Sequence, residues 1–319
     1  MGDIEPNQKK SLSYPSIKHL VISGGGTYGV LAYGALRETN NAGFWNREDI
    51  QSIHTVSAGG ILAIMLLLGY DWETMDNYLI KRPWDKVFHY DIENIINAFE
   101  NRGLFDKKMI IDIMKPLLLG KDMDLEITME EFYEKTQVAL HLYTTETTQF
   151  ELVSLSHHSH PQWKLLDALY ASAGLPVFVA PYIVENKTYI DGGVFLNYPL
   201  KQCMDMENVQ EDEILGLQKE CVYSTNDEIT ETSNMLDYML MLLNKVLIRI
   251  NQDSENTGLI QHEIVIKASP ICASDLYQFS ISEECRQNWV KEGTECGKRF
   301  LAKYNENSGS IQEPIHIKM

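Results

Sequence analysis

The sequence predicts an α/β domain, with a parallel sheet carrying helices on both faces. Two observations predict it. Short β-branched runs alternate with helix-spaced apolar segments through the N-terminal part, giving a strand, helix, strand, helix order that only a parallel sheet accommodates. Each of the first two strands also runs into small residues, "GGGTYG" after one and "SAGG" after the other, where the chain must turn tightly into a helix.

In chain order, "IKHLVIS" (17–23) reads as a buried strand. "VLAYGALRETNNAG" (30–43) has helical spacing and stops at a glycine. "SIHTV" (52–56) is the second strand, followed by Ser57 and an apolar helix that ends near Gly69. Residues from about 71 to 134 read as helical. "VALHLYTT" (138–145) and "FELVSLS" (150–156) are strands joined by the turn residues "ETTQ", and "WKLLDALYASAG" (163–174) is a helix. The proline-punctuated stretch 176–199 is extended, and "EILGLQ" (213–218) and "HEIVIKAS" (262–269) are further strands. Between these two lie an acidic exposed loop and a long Met-rich helix, about 234–251, read as facing the core or a partner. A last helix begins after Ser282, a plausible cap with acids in the first turn. Length alone allows two domains in 319 residues, but no repeat or low-complexity segment divides the chain. The expected organisation is one catalytic domain, 16–305, between flexible tails at 1–15 and 306–319.

Composition narrows the function. A net charge of −18 and the lack of any basic run exclude nucleic acid as a partner, because phosphate contacts supply most of that affinity. Five cysteines, an odd number with no CxxC pair, point to free thiols in a reduced compartment rather than a disulfide framework or a zinc site. The first fifteen residues lack the apolar core of a signal peptide, and Pro6 stands where a myristoylation signal needs Ser or Thr. No apolar run approaches the ~20 residues that span a bilayer. A cytoplasmic protein without a transmembrane segment is expected.

Ser57 has two readings. It can be an ordinary helix N-cap, or a nucleophile pushed out of the fold on a strained strand-to-helix turn that needs small neighbours such as Ala58 and Gly59. The glycine loop is equally two-sided. Consecutive glycines can aim amides at an oxyanion, yet Gly24, Gly26 and Gly29 also satisfy GxGxxG, with Glu48 and Asp49 downstream as ribose-binding acids. A dinucleotide-binding protein is therefore a rival from another class. "YIDGGVFLNYP" tips the balance, since Asp191 before Gly192 and Gly193 suits a turn that exposes a carboxylate base, and a dinucleotide fold explains neither it nor the serine turn.

Together "SGGGTYG", "VSAGG" and "ASAGLPVFVAPYIVENKTYIDGGVFLNYP" resemble the patatin-like phospholipases, from about Leu20 to Leu217. "GLFD" (103–106) and "YTTETTQFELVSLS" fit the same pattern. The resemblance implies a three-layer α/β/α fold with a mostly parallel sheet and a serine lipid acyl hydrolase acting at a membrane surface, peripherally bound. It implies Ser57 as nucleophile, Asp191 as base and the Gly24, Gly25, Gly26 and Thr27 backbone as oxyanion hole, with no cofactor, no metal and no need for calcium. Two positions depart from the family. Tyr28 stands where an Arg or Lys is usual, so weakened oxyanion support from a phenol is expected, and Thr55 replaces the first glycine of GxSxG and is expected to crowd the turn. These departures keep alive a catalytically weak lipid-binding protein of the same fold.

Other residues draw blander readings. "HHSH" (His157, His158, His160) has no carboxylates at ligand spacing and reads as a solvated loop. His54 reads as packed on its strand. Trp72, Trp84, Phe88 and Tyr90 read as core packing in preference to a lid or interfacial surface.

Overall fold

The computed structural model describes residues 14–88, 98, 100–222, 229–231, 233–252 and 260–310. Tyr90 and the outer parts of both expected tails lie outside them. β1 (His19–Ile22) leads through the glycine loop into α1 (Tyr28–Asn41), and β2 (Ser52–Val56) turns at Ser57 into α2 (Ala58–Leu67). Next come α3 (Trp72–Lys81), β3 (Gly103–Phe105), α4 (Lys107–Leu119) and α5 (Met129–Thr136). The hairpin β4 (Ala139–Glu146) and β5 (Glu151–Leu155) precedes α6 (Leu165–Ser172), β6 (Val177–Val179), β7 (Tyr182–Val184) and β8 (Lys187–Asp191). The chain continues with α7 (Leu200–Glu207), β9 (Ile214–Cys221), α8 (Met235–Gln252), β10 (Glu263–Ala268), α9 (Ala273–Ile281) and α10 (Glu283–Ser310).

The central sheet is mixed. β10, β9, β1, β2 and β4 run parallel in that order, and β5, β8 and β7 add antiparallel pairings. The junction on β4 positions everything that follows. β5 occupies one whole edge of β4 from Leu142 to Glu146. The other edge is shared, with β2 pairing through Val56↔Tyr143 and β8 pairing from Thr144↔Asp191. β2 runs parallel to β4 and β8 antiparallel, so the two strands run toward each other and meet end to end beside residues 143 and 144.

Strand alternation sends side chains to two cores. Leu20, Ile22 and Ile53 enter the large cluster beneath α1, α2, α6 and α10, whereas Val21 enters a small one with Leu200 and Cys203 of α7. α1 lies against α10 at backbone contact distance, because a side-chain carbon on Gly34 would sit 2.9 Å from the Thr294 amide nitrogen. Ser282 caps α10 as its sequence position suggests, its hydroxyl accepting from the Cys285 amide at 3.1 Å. Two expectations need correction. Gly103–Phe105, read as helical, is a strand paired with β6, and the short helices α7 and α9 have no counterpart in the sequence reading.

Candidate active site

Ser57 sits where β2 stops. Its backbone adopts φ 55° and ψ −128°, a region costly for any residue with a side chain. Its side chain makes no cap hydrogen bond, so the N-cap reading fails. The strained backbone is held in place from α6: the Ser57 amide donates to Ser172 Oγ at 3.0 Å, and that hydroxyl donates to the Tyr143 carbonyl at 2.7 Å. Ser172 is a residue the sequence reading passed over, although it lies inside the "ASAG" segment.

Small residues make the turn possible. A side-chain carbon on Gly24 would lie 3.0 Å from Ser57 Cβ, and one on Gly59 would collide with Thr55 Oγ1 and lie 2.9 Å from the Ser23 carbonyl. Thr55 therefore fills the room that Gly59 leaves vacant, which is why a threonine is accommodated in place of the usual glycine. Gly29 lies in ordinary contact with Ala58, so the glycine loop and the serine turn pack side by side.

Asp191 closes the site from β8. The end-to-end meeting of β2 and β8 brings its carboxyl toward the Ser57 side chain, and the two residues line one cavity. The Gly193 amide donates to Asp191 Oδ1 at 2.8 Å. Gly192 passes so close to the Tyr143 carbonyl that no side chain fits there. Burial pushes the Asp191 carboxyl up to about 6, against the lowering pull of Ser57 and of the Gly193 amide.

The backbone donors of the loop are unequal. The Gly24 amide is taken by the Asn197 carbonyl at 3.3 Å. The amides of Gly25, Gly26 and Thr27 have no hydrogen-bond acceptor among the described residues. Ala58 opens α2, so its amide has no acceptor within the helix either. Tyr28 corrects an expectation. Its side chain is buried toward Glu263 and Cys296, its hydroxyl has no partner among the described residues, and it lines neither cavity at Ser57. A phenol turned into the core donates nothing to the site.

Two cavities meet at Ser57. One of about 180 Å³ is apolar, lined by residues such as Ile61, Met65, Trp84, Phe105, Phe178 and Phe279. The other, about 220 Å³, is polar and carries Asp191, Asn197, Lys219, Asn244 and Asn251. Trp84 and Phe88 thus pack as wall and core, Trp84 standing 5.1 Å from the Phe279 ring, while Trp72 packs edge-on against Tyr33.

The dinucleotide reading fails on placement. Glu48 and Asp49 are exposed on the turn before β2, at the opposite end of the sheet from the glycine loop that follows the parallel β1. His157, His158 and His160 lie on a surface turn, where His157 stacks on Tyr133. All five cysteines are free thiols.

His54, His141 and Glu207 form the one group among the described residues with metal-ligand proximity, on the sheet face covered by α7. His54 Nε2 and His141 Nε2 lie 3.1 and 3.6 Å from Glu207 Oε1. A tetrahedral ion with bonds of about 2.0–2.1 Å sets ligand atoms about 3.3 Å apart, so the spacing fits. The rings do not: they stack 8° from parallel, so their lone pairs run side by side instead of converging. Tyr143 and Ser154 hydroxyls hold the remaining ring nitrogens at 2.9 and 3.2 Å, completing a hydrogen-bonded network. Burial keeps both imidazoles neutral, and the His54 hydrogen bond draws the Glu207 carboxyl down to about 2.

A model of the patatin-like phospholipase family matches residues 20–204. "Probable lipid hydrolase 463L" of Invertebrate iridescent virus 6 is 27% identical over 200 residues, covering 62% of this chain and 67% of that protein. "Uncharacterized protein R571" of Acanthamoeba polyphaga mimivirus is 26% identical over 197 residues, covering 62% and 65%. This chain thus aligns with about two thirds of the length of these relatives. Among solved structures, VipD from Legionella pneumophila has the same fold at 17% identity, with a TM-score of 0.55 over 91% of this chain and 67% of that one.

Proposed function

The chain belongs to the patatin-like phospholipase family, and from that premise we propose that it is a serine lipid acyl hydrolase cleaving fatty-acyl esters of phospholipids or related lipids. The observation that carries the reading is the placement of Ser57 and the buried Asp191 in one cavity, where an apolar and a polar cavity meet at Ser57. The name carried by the iridescent virus relative supports the same class of activity.

In this reading the acyl chain lies in the apolar cavity and the ester carbonyl sits against Ser57. Asp191 takes the hydroxyl proton as Ser57 Oγ attacks, forming a tetrahedral oxyanion. The Gly25, Gly26, Thr27 and Ala58 amides, without acceptors among the described residues, supply the donors for that charge, each worth on the order of 10²–10³ in rate. Asp191 returns the proton to the leaving alcohol, the acyl-enzyme forms, and a water activated by the same carboxylate releases the fatty acid. An acid held at about 6 is ionised at neutral pH yet basic enough to accept a proton in the transition state.

The lipid comes from a membrane surface. No helix among the described residues is long and apolar enough to cross a membrane. α8 presents Met235, Tyr238, Leu242 and Val246 to solvent while its Asn244, Leu247 and Asn251 line the polar cavity, an arrangement that suits peripheral contact with lipid. An uncharged fluorophosphonate probe and release of fatty acid from vesicles test the proposal. Both signals are expected in the native protein and neither in Ser57→Ala. Lipid binding without labelling or release would leave the non-catalytic lipid-binding reading instead.

A further inference from the structure

Lys219 is a buried cation that the reaction above does not use. It lies near the end of β9, beside β1, with 6% of its surface exposed. Among the described residues its ammonium makes no hydrogen bond and no ion pair, and burial draws its pKa below the usual lysine value. The Asp275 carboxylate attracts it only from beyond ion-pair distance, and a buried charge so placed is costly.

Its position says which ligand. The side chain runs along the glycine loop, since a carbon on Gly25 would lie 2.6 Å from Lys219 Cδ and 3.0 Å from Nζ. Gly25 also has φ 144°, so only glycine serves there on both counts. Lys219 lines the polar cavity with Ser57 and Asp191 and does not line the apolar one. The neighbouring amides are already committed. Asn251 Oδ1 accepts from the Asn197 amide at 2.6 Å and its Nδ2 donates to the Gly193 carbonyl at 3.0 Å. Asn244 exchanges two hydrogen bonds with the Ile271 backbone. Of the two carboxylates lining the cavity, Asp191 accepts from the Gly193 amide, and Glu220 pairs with Lys267 at 3.7 Å. Among the described residues the ammonium is the one cationic side chain that lines the cavity, and it has neither hydrogen bond nor ion pair, so the guest it suits is anionic.

We infer that Lys219 is the cation of a phosphate subsite, which receives the phosphate ester of the leaving lysolipid while the acyl chain occupies the apolar cavity. The inference rests on the lipid hydrolase reading and deepens it, by making a phosphate-bearing glycerolipid the preferred substrate over a neutral acylglycerol.

The test compares a diacyl phospholipid with the diacylglycerol of the same chains, each in neutral detergent micelles, using native protein, Lys219→Met and Lys219→Arg. The native protein is expected to prefer the phospholipid. Lys219→Met should collapse that preference by about 10- to 100-fold, through KM, as expected for a lost charge-assisted contact, and Lys219→Arg should restore part of it. An equal loss on both substrates, carried by kcat, would place Lys219 on the oxyanion and overturn the subsite, as would a preference that survives Lys219→Met. Inorganic phosphate tests the other source of the same chemistry. Lys219-dependent inhibition by it, with no preference between the two lipids, would overturn the headgroup assignment. A binding arm separates this failure from failure of the hydrolase reading: Ser57→Ala should hold diether phospholipid micelles more tightly than Ser57→Ala/Lys219→Met, whether or not the native protein turns over.

Discussion

Two polar clusters are sealed into this fold, and they are built on opposite terms. Glu207, His54 and His141 satisfy one another on the α7 face, with Tyr143 and Ser154 holding the outer nitrogens. Ser57 and Asp191, where β2 and β8 meet, are left incomplete: amides without acceptors among the described residues, a strained serine and two open cavities. The two acids register the difference. Partners pull Glu207 down to about 2, while burial lifts Asp191 to about 6. A closed network stabilises, whereas an unfinished one stores free energy for a substrate to release.

The largest test of that contrast is removal of the dyad. Ser57→Ala or Asp191→Asn should each cut ester hydrolysis by about 10³-fold or more, read as kcat on vesicles. Asp191→Asn should also raise the melting temperature. An unfolded aspartate titrates near 3.9 and the folded one near 6, so the fold binds the proton more tightly and loses stability as pH rises through that window. At neutral pH the ionised group costs on the order of 3 kcal/mol. An Asp191→Asn protein that melts lower than the native one would contradict the contrast.

Ser172→Ala comes next. Losing the hydroxyl that holds the Ser57 amide should lower kcat by about 10-fold, with a stability loss of about 1–2 kcal/mol. Glu207→Gln should do the reverse, costing about 1–3 kcal/mol in chemical denaturation while kcat stays within about twofold, because the network touches no substrate.

The pH profiles should diverge in the same sense. Activity, kcat/KM, should fall as pH drops through about 6 and Asp191 takes up its proton. The stability due to Glu207 persists to lower pH, being fully present above the unfolded glutamate value near 4.3 and lost as pH falls toward about 2. The smallest effect is expected from excess EDTA, which should move neither turnover nor melting. A lower melting temperature with turnover intact would mean that the two histidines and Glu207 hold an ion after all.

The elements that pattern alone decides were legible. β2 was read at its observed bounds, 52–56, and α1 within two residues, because alternation and helical spacing are local properties. β3 was not legible, since three residues become a strand only when β6 lies beside them. Tyr28 could be seen to depart from its family, but no spacing told that its ring turns into the core. Ser172 and Lys219 carried no signal at all, a serine in a helix and a lysine in a strand being ordinary until their neighbours are known.

Chain order alone therefore determined which residue types could do chemistry here: a serine among small residues, a glycine run and an aspartate before glycines. Tertiary structure decided which of them meet. Two strands running head-on along one edge of β4 bring residues 57 and 191 together, and packing of β9 against β1 brings the Lys219 ammonium to the glycine loop. The physical reason is range, because turn chemistry is written in adjacent residues while the pairing of distant strands depends on the whole buried core.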